Sequence, residues 1–324
     1  MTATDESLPV PPGPAAPAAE PAPAAPAAPA ALAAYGDALN ARKPRGPWTL
    51  ALERLRRAKL AILGMVILLL MVLAAVFADQ LAPYGQNDVD LFNITAPPSP
   101  EHVLGTDDLG RDVLSRLIYG GRVSLLVGVG AAAIATAVGI LVGAVAGYYG
   151  GTVDATLMRF VDVMLAFPAI FLLLILFSIQ GSSVYSVIAF LGLFSWMWLA
   201  RIIRGEFMSL KQRDFIEAGR AIGVPDGRMI MRHLLPNVLA AIIVSATLDV
   251  AYAMLAEASL SFLGFGVPPE TPTWGNMLNS ARTYYTTVPM LAIIPGLTLT
   301  IAVLAINFVG DGLRDAFDPR GSTR

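Results

Sequence analysis

VDVMLAFPAIFLLLILFSIQGSSVYSVIAFLGLFSWMWLA, residues 161–200, holds two apolar runs, Val161 to Ile179 and Val184 to Ala200, separated only by Gln180, Gly181, Ser182 and Ser183. Each is close to the roughly 20 residues that an α-helix, rising about 1.5 Å per residue, needs to cross the ~30 Å hydrocarbon core of a bilayer. Neither shows the alternation of a strand or the one-sided stripe of a helix on a water-soluble core. Four residues allow only a tight turn between them, so the stretch predicts a transmembrane helical hairpin. Four more runs of the same kind lie outward from it, near Leu60 to Phe77, Ser124 to Gly147, Val238 to Glu257 and Val288 to Val309. The fold class follows: an all-α membrane protein with six transmembrane helices.

Composition agrees. The chain is 56% hydrophobic and 14% charged with a formal net charge of −2, and it has no basic stripe of the kind that binds nucleic acid. It has no cysteine, which removes disulfide scaffolds, Cys-ligated metals and thiol nucleophiles. Residues 1–47 centre on PAPAAPAAPAALAA, a composition without the bulk for a core, and are expected to form a disordered cytoplasmic tail. They lack the basic start and compact apolar stretch of a secretory signal.

Lysine and arginine placement sets the expected orientation. Seven such residues lie from Arg42 to Lys59 and seven from Arg201 to Arg232, against Arg282 alone in the 258–287 connection. Both termini are therefore expected in the cytoplasm, at the inner membrane of a prokaryote. Residues 48–123 would hold the first span and an outer loop, 124–310 the core with spans two to six, and 311–324 a cytoplasmic tail. In the outer loop, Val113, Leu114, Leu117 and Ile118 share one helical face, which predicts an amphipathic surface helix over Arg111 to Leu125.

The second span carries Gly139, Gly143 and Gly147 at every fourth position, a smooth seam for close helix approach, either within this subunit or against another. Pro168 and Pro295 fall inside the third and sixth spans, where proline removes a backbone hydrogen bond and bends the helix.

The cytoplasmic stretch from Arg201 to Asn237 is charged yet punctuated like folded structure. It reads as a helix from Gln212 to Ile222, a stop at Gly223, Val224 and Pro225, then a second short helix capped by Asp226 and running to Leu235, before Pro236 and Asn237 lead into the fifth span. Ala218, Gly219, Ala221 and Gly223 are small, with Glu217 and Arg220 beside them. Such an element suits a groove on another protein, or close packing on its own bundle.

Here Glu217, Ala218, Ala221 and Gly223, with Ile230, Leu235 and Pro236, resemble the EAA loop of ABC-importer permeases, with Gly219 where alanine is usual. Leu104-Gly105-Thr106-Asp107-Asp108-Leu109-Gly110-Arg111-Asp112, Ser115 to Gly120, Glu257 to Gly266, and Pro268, Pro269, Trp274 and Gly275 resemble the C-type subunit of dipeptide and oligopeptide permeases. The likeness spans about residues 55–320. It implies a type I importer permease (MetI-like) fold whose coupling helix, around Glu217 to Gly223, docks on an ATPase. It also implies four partners: a homologous B-type permease, two ABC ATPase subunits that bind ATP and magnesium, and an extracytoplasmic solute-binding protein. This chain would hold no cofactor of its own, and the cargo would be a peptide or a related solute such as glutathione or a nickel chelate.

Asp249 and Glu257 fall in the fifth span, where an exposed charge costs several kcal/mol. Asp249 is a candidate for the translocation path or a gate, with an interhelical hydrogen bond or pairing with a partner's arginine as the favoured alternative, and Glu257 is a candidate for an outer gate. His102 and His233 lie on opposite sides, too far apart to share a metal, and are expected in surface or packing positions. No phosphate-binding loop G-x-x-x-x-G-K-[ST] occurs, so the chain is not the ATPase, and G-x-S-x-G, H-E-x-x-H and S-x-x-K are absent too. An ion-gradient-driven transporter or channel working through Asp249 or Glu257 stays open as an alternative.

Overall fold

A computed structural model describes residues 47–317; the expected tail lies outside these described residues except for its last position. The described chain is helical, with two isolated β-bridges, Val89 to Arg111 and Thr106 to Asp112, as its only extended pairings. A short helix, α1 (Pro47–Leu55), precedes α2 (Lys59–Val76), and α3 (Ala78–Leu81) follows it. Then come α4 (Val113–Tyr149), α5 (Gly151–Ala166), α6 (Ala169–Gln180), α7 (Val184–Leu210) and α8 (Asp214–Ala221). The single turn α9 (Asp226–Arg228), a π-helical stretch Met229–Leu234 and α10 (Leu235–Phe262) form one continuous run, followed by α11 (Trp274–Ala281) and α12 (Met290–Phe317). Five of these units are long and apolar enough to cross a membrane: α2, α4, α7, the run from Asp226 to Phe262, and α12.

The third expected span differs from a kinked helix. Residues 151–180 form two helices bent by 78° at Phe167 and Pro168. Phe167 is extended (φ −90°, ψ 135°) because a residue before proline is pushed out of the helical region. Pro168, with no N–H to give, begins the next helix rather than sitting inside one. Pro295 does lie within α12. Arg204 pairs with Asp154, and Arg201 with Asp162 at 2.5 Å, tying α5 to α7. The tight connection after α6 is as expected: Gly181 takes φ +77°, and Ser183 caps α7 reciprocally with Ser186.

The surface helix expected at Arg111–Leu125 is instead the first turns of α4, which runs unbroken for 37 residues. Asp112 caps it, accepting from the Ser115 backbone N–H at 2.7 Å and the Ser115 hydroxyl at 2.8 Å. Its inward residues are Val113, Ser115, Arg116 and Gly120, not the apolar face alone. Arg116 is fully buried, donating to the carbonyls of Gln86 and Pro269 with its Nε 3.5 Å from Asp107 Oδ2. That ion pair and those carbonyls make its burial tolerable. The 311–317 part of the expected C-terminal tail is helix, the end of α12.

The glycine seam packs inside the subunit. Gly139 faces Leu199, Gly143 faces Ala200 and Ile203, and Gly147 faces Phe207 and Arg204, so α4 and α7 form the central pair. Gly192 of α7 returns the contact against Ala131 and Ile134. Other close approaches include α4 to α10, through Gly128 against Met254, α2 to α12, through Gly64 against Ala305 and Phe308, and α10 to α12, through Gly310 against Leu248.

Candidate functional site

The 211–234 segment is folded onto one end of the bundle. Ile216, Met229 and Leu234 are fully buried against Leu199, Ile203 and Phe207 of α7, Ala144 and Tyr148 of α4, and Val238 of α10. α8 starts at Asp214, two residues later than expected, with Asp214 and Glu217 in its first turn and Arg220 in its last, which suits the helix dipole. It buries one face only, through Ile216 and Gly219; a Cβ at Gly219 would stand 2.7 Å from Met229 Cε. The opposite face presents Phe215, Glu217, Ala218, Ala221 and Ile222, the last 81% exposed.

α8 stops as the sequence requires. Gly223 takes φ +76°, its N–H reaches the Arg220 carbonyl at 3.0 Å, and the Val224 N–H reaches the Gly219 carbonyl at 3.0 Å, closing a Schellman turn. Gly223 has no atom near where a Cβ would stand, so its role is backbone conformation rather than space. Asp226 is the first residue of the re-entry helix, not its cap. Its carboxylate accepts instead from the Tyr148 hydroxyl at 2.6 Å. Pro236 sits exposed at the start of α10, while Leu235 packs on the buried cluster. Pro236 has no N–H to offer the preceding turn, and the ladder widens there, the Leu235 N–H reaching Ile230.

Tyr148 went unnoticed in the sequence. It is buried, its ring lies 5.7 Å from the Arg220 guanidinium carbon and 5.9 Å from Lys211 Nζ, and Lys211 also donates to the Tyr148 carbonyl at 2.6 Å. Only its position, one residue past the seam glycine Gly147, marked it.

At the opposite end of the bundle Glu257 is 1% exposed. It accepts from the Ser261 hydroxyl at 2.6 Å and the Thr273 hydroxyl at 2.9 Å. Thr273 caps α11 reciprocally with Asn276. Trp274 donates from its backbone N–H to the Ser124 hydroxyl at 3.1 Å and from its ring to the Leu117 carbonyl at 3.0 Å. Glu257 thus fastens α10 to α11 and, through Trp274, to α4. Glu257 Oε2 and Asp249 Oδ2 are both enclosed with no hydrogen-bond partner among the described residues, but Asp249, half-buried within α10, lacks the two hydroxyl donors that Glu257 has on its other oxygen.

The 82–112 loop is ordered by its own carboxylates. His102 is buried, with Nδ1 3.0 Å from Asp112 Oδ1 and its ring stacked obliquely on Tyr84, so it packs and is not a surface residue. Hydrogen bonds from the Asn93 side chain and the Phe92 N–H lower the Asp90 pKa. Burial, reinforced by neighbouring Asp107, raises that of Asp108.

α8 is thus held to the end of the bundle by a glycine turn and the buried Met229, with its other side exposed. Residues 139–322 match the family of binding-protein-dependent transport system inner membrane components, and residues 46–98 match the N-terminal transmembrane domain of oligopeptide transport permease C. The chain is 45% identical to a peptide permease protein of Brucella suis over 277 residues, 85% of this chain and 92% of the relative. It is 40% identical to the dipeptide transport system permease protein of Alkalihalophilus pseudofirmus over 274 residues, 85% and 90% of the two chains. With the glutathione transport system permease protein of Escherichia coli it shares 42% identity over 277 residues, 85% and 91%. The chain belongs to the family of binding-protein-dependent transport system inner membrane components, as an oligopeptide-permease C-type member. It is a multi-pass protein of the inner membrane.

Proposed function

We propose that this chain is one of two permease subunits of an ATP-driven importer of small peptides, moving its cargo by alternating access. Its own part is non-catalytic. A homologous B-type permease completes the path, two ATPase subunits bind ATP and magnesium, and an extracytoplasmic binding protein delivers the cargo. The names of the three relatives, for peptides, dipeptides and glutathione, share one chemistry, a short peptide with ionised ends. That shared chemistry supports peptide cargo.

Six crossings with both termini in the cytoplasm fit the contacts best. Gly150, where the bent pair α5–α6 begins, follows Tyr148, which touches Lys211, Arg220 and Asp226. Its far end, at Ser182, donates to the Gly266 carbonyl beside the Glu257 cluster. The pair therefore travels the length of the bundle, although α6 alone, at 12 residues, is too short to span it. The basic residues near α1 and near α8 then fall on the same, cytoplasmic side.

The observation that carries the reading is the uncovered face of α8, with Glu217, Ala218 and Ala221 opposite the clamped Ile216 and Gly219. We infer that this face seats in the ATPase. Ala218→Trp and Glu217→Trp keep the buried face intact, so the purified chain should unfold at the wild-type temperature while recovery of the ATPase in detergent pulldowns and ATP-driven uptake both fall. Unchanged recovery and uptake would reject the reading.

A further inference from the structure

Four segments converge on one phenol ring. Tyr148 belongs to the last turn of α4, Lys211 to the end of α7, Arg220 to α8 and Asp226 to the first turn of the re-entry helix. Lys211 holds the Tyr148 carbonyl and, with Arg220, lies within the ~6 Å at which a cation is drawn to an aromatic face. Asp226 accepts a hydrogen bond from the hydroxyl at 2.6 Å. Packing in this cluster would be served equally by phenylalanine; the hydroxyl adds one directed, charge-assisted bond between α4 and a helix that continues without interruption to Phe262.

This arrangement has a mechanical consequence. Arg220 stands next to Ala221 and Ile222 on the exposed side of α8, so a force applied to that face displaces Arg220 and, across the short Gly223–Pro225 turn, Asp226. Both grip Tyr148. α4 carries Tyr148 as a rigid rod of 37 residues whose other end, at Leu117 and Ser124, is bonded to Trp274. We propose that Tyr148 is the positioning residue through which displacement of α8 is handed to α4, with the bond from its hydroxyl to Asp226 as the tie. This rests on the reading that α8 seats in the ATPase.

The test uses the intact importer in liposomes, with Tyr148→Phe, Asp226→Ala, Asp226→Asn and the Tyr148→Phe/Asp226→Ala double variant. ATPase recovery should stay at the wild-type value in all four, and any fall in unfolding temperature should be no larger in the double variant than in either single. Uptake per ATP hydrolysed should fall about tenfold in Tyr148→Phe and Asp226→Ala, the scale of one lost hydrogen bond to a charged group. The double variant should be no worse than either single, because both remove the same bond. Asp226→Asn, whose amide oxygen still accepts, should recover most of the coupling. Wild-type uptake per ATP in Tyr148→Phe, additive losses in the double variant, or loss of ATPase recovery confined to these variants would each overturn the proposal; Asp226, being exposed, tests the same bond if Tyr148→Phe folds poorly. Failure of the wild-type chain to recover the ATPase would instead refute the docking reading.

Discussion

Gly143 of α4 lies so close to Ala200 of α7 that a Cβ on the glycine would stand 2.5 Å from the Ala200 carbonyl oxygen and 2.9 Å from Ile203 Cβ. Backbone cannot swing aside as a flexible side chain does, so even one methyl must push the helices apart.

Gly143→Ala should therefore destabilise the chain by about 1–3 kcal/mol, the usual scale of overpacking. Gly205, on the same helix as Ala200, has nothing within 4 Å of its Cβ position. Gly205→Ala should be neutral or stabilising by up to about 0.5–1 kcal/mol, because alanine loses less backbone freedom in a helix. Thermal unfolding of the two purified variants in one detergent makes the comparison. Equal midpoints would mean that the seam is looser than these distances.

Glu257 predicts a different split. Glu257→Ala strips the acceptor from the Ser261 and Thr273 hydroxyls inside the protein, which should cost about 1–3 kcal/mol and reduce membrane abundance. Both hydroxyls donate to the same oxygen, Oε1, so Glu257→Gln with its carbonyl oxygen in that place keeps both bonds and should stay near wild type in abundance and uptake. A stable Glu257→Gln chain that no longer transports would point to a part in the path instead of fastening.

Much of this was legible in the sequence, and the misses share a cause. The spans could be read because a bilayer imposes length and apolarity locally, and the stop of α8 because Gly223 and Pro225 act on their own backbone. The helix over Arg111 to Leu125 and the role of Asp226 were misread. The apolar face of Val113, Leu114, Leu117 and Ile118 suggested a surface helix, yet Arg116 beside them is buried and donates to the Pro269 carbonyl, 153 residues away. Asp226 has the look of a cap, but its carboxylate bonds Tyr148, 78 residues back. The 78° bend at Pro168 was under-read for a related reason, since proline permits a bend but its angle depends on how each half packs on the rest of the chain, α5 being paired to α7 through Asp154 and Asp162.

Asp108 gives the outer loop a pH dependence of known sign. Its folded pKa is raised above the ordinary 3.8, first by burial and then by Asp107. Its contribution to stability is therefore fully present below pH 3.8 and is lost as pH rises through the folded value. At neutral pH the wild type holds an ionised carboxylate whose Oδ1 is enclosed without a hydrogen bond, Arg111 being 3.9 Å away. Asp108→Asn should raise the unfolding temperature at neutral pH, and the gain should shrink to nothing toward pH 3.8. A gain that is constant with pH would assign it to packing.

Asp249 is the counterpart of Glu257 on the same helix, because among the described residues it has no hydrogen bond to lose. An enclosed carboxylate oxygen without a partner is a liability for the isolated fold. Asp249→Leu should therefore leave the purified chain as stable as the wild type or more so, by on the order of 1 kcal/mol. A polar group at such a disadvantage in a membrane span is a candidate for a partner outside the chain. In the assembled importer, either the second permease or the passing cargo can supply a donor to it. Asp249→Leu should accordingly lower uptake at matched membrane abundance, while Asp249→Asn, which still accepts a hydrogen bond, should fall less. Co-purification separates the two donors: loss of the second permease in Asp249→Leu assigns Asp249 to the interface between subunits, and retained assembly with reduced uptake assigns it to the path. Loss of stability in the isolated chain would contradict both, since it would require a partner for Asp249 within its own fold.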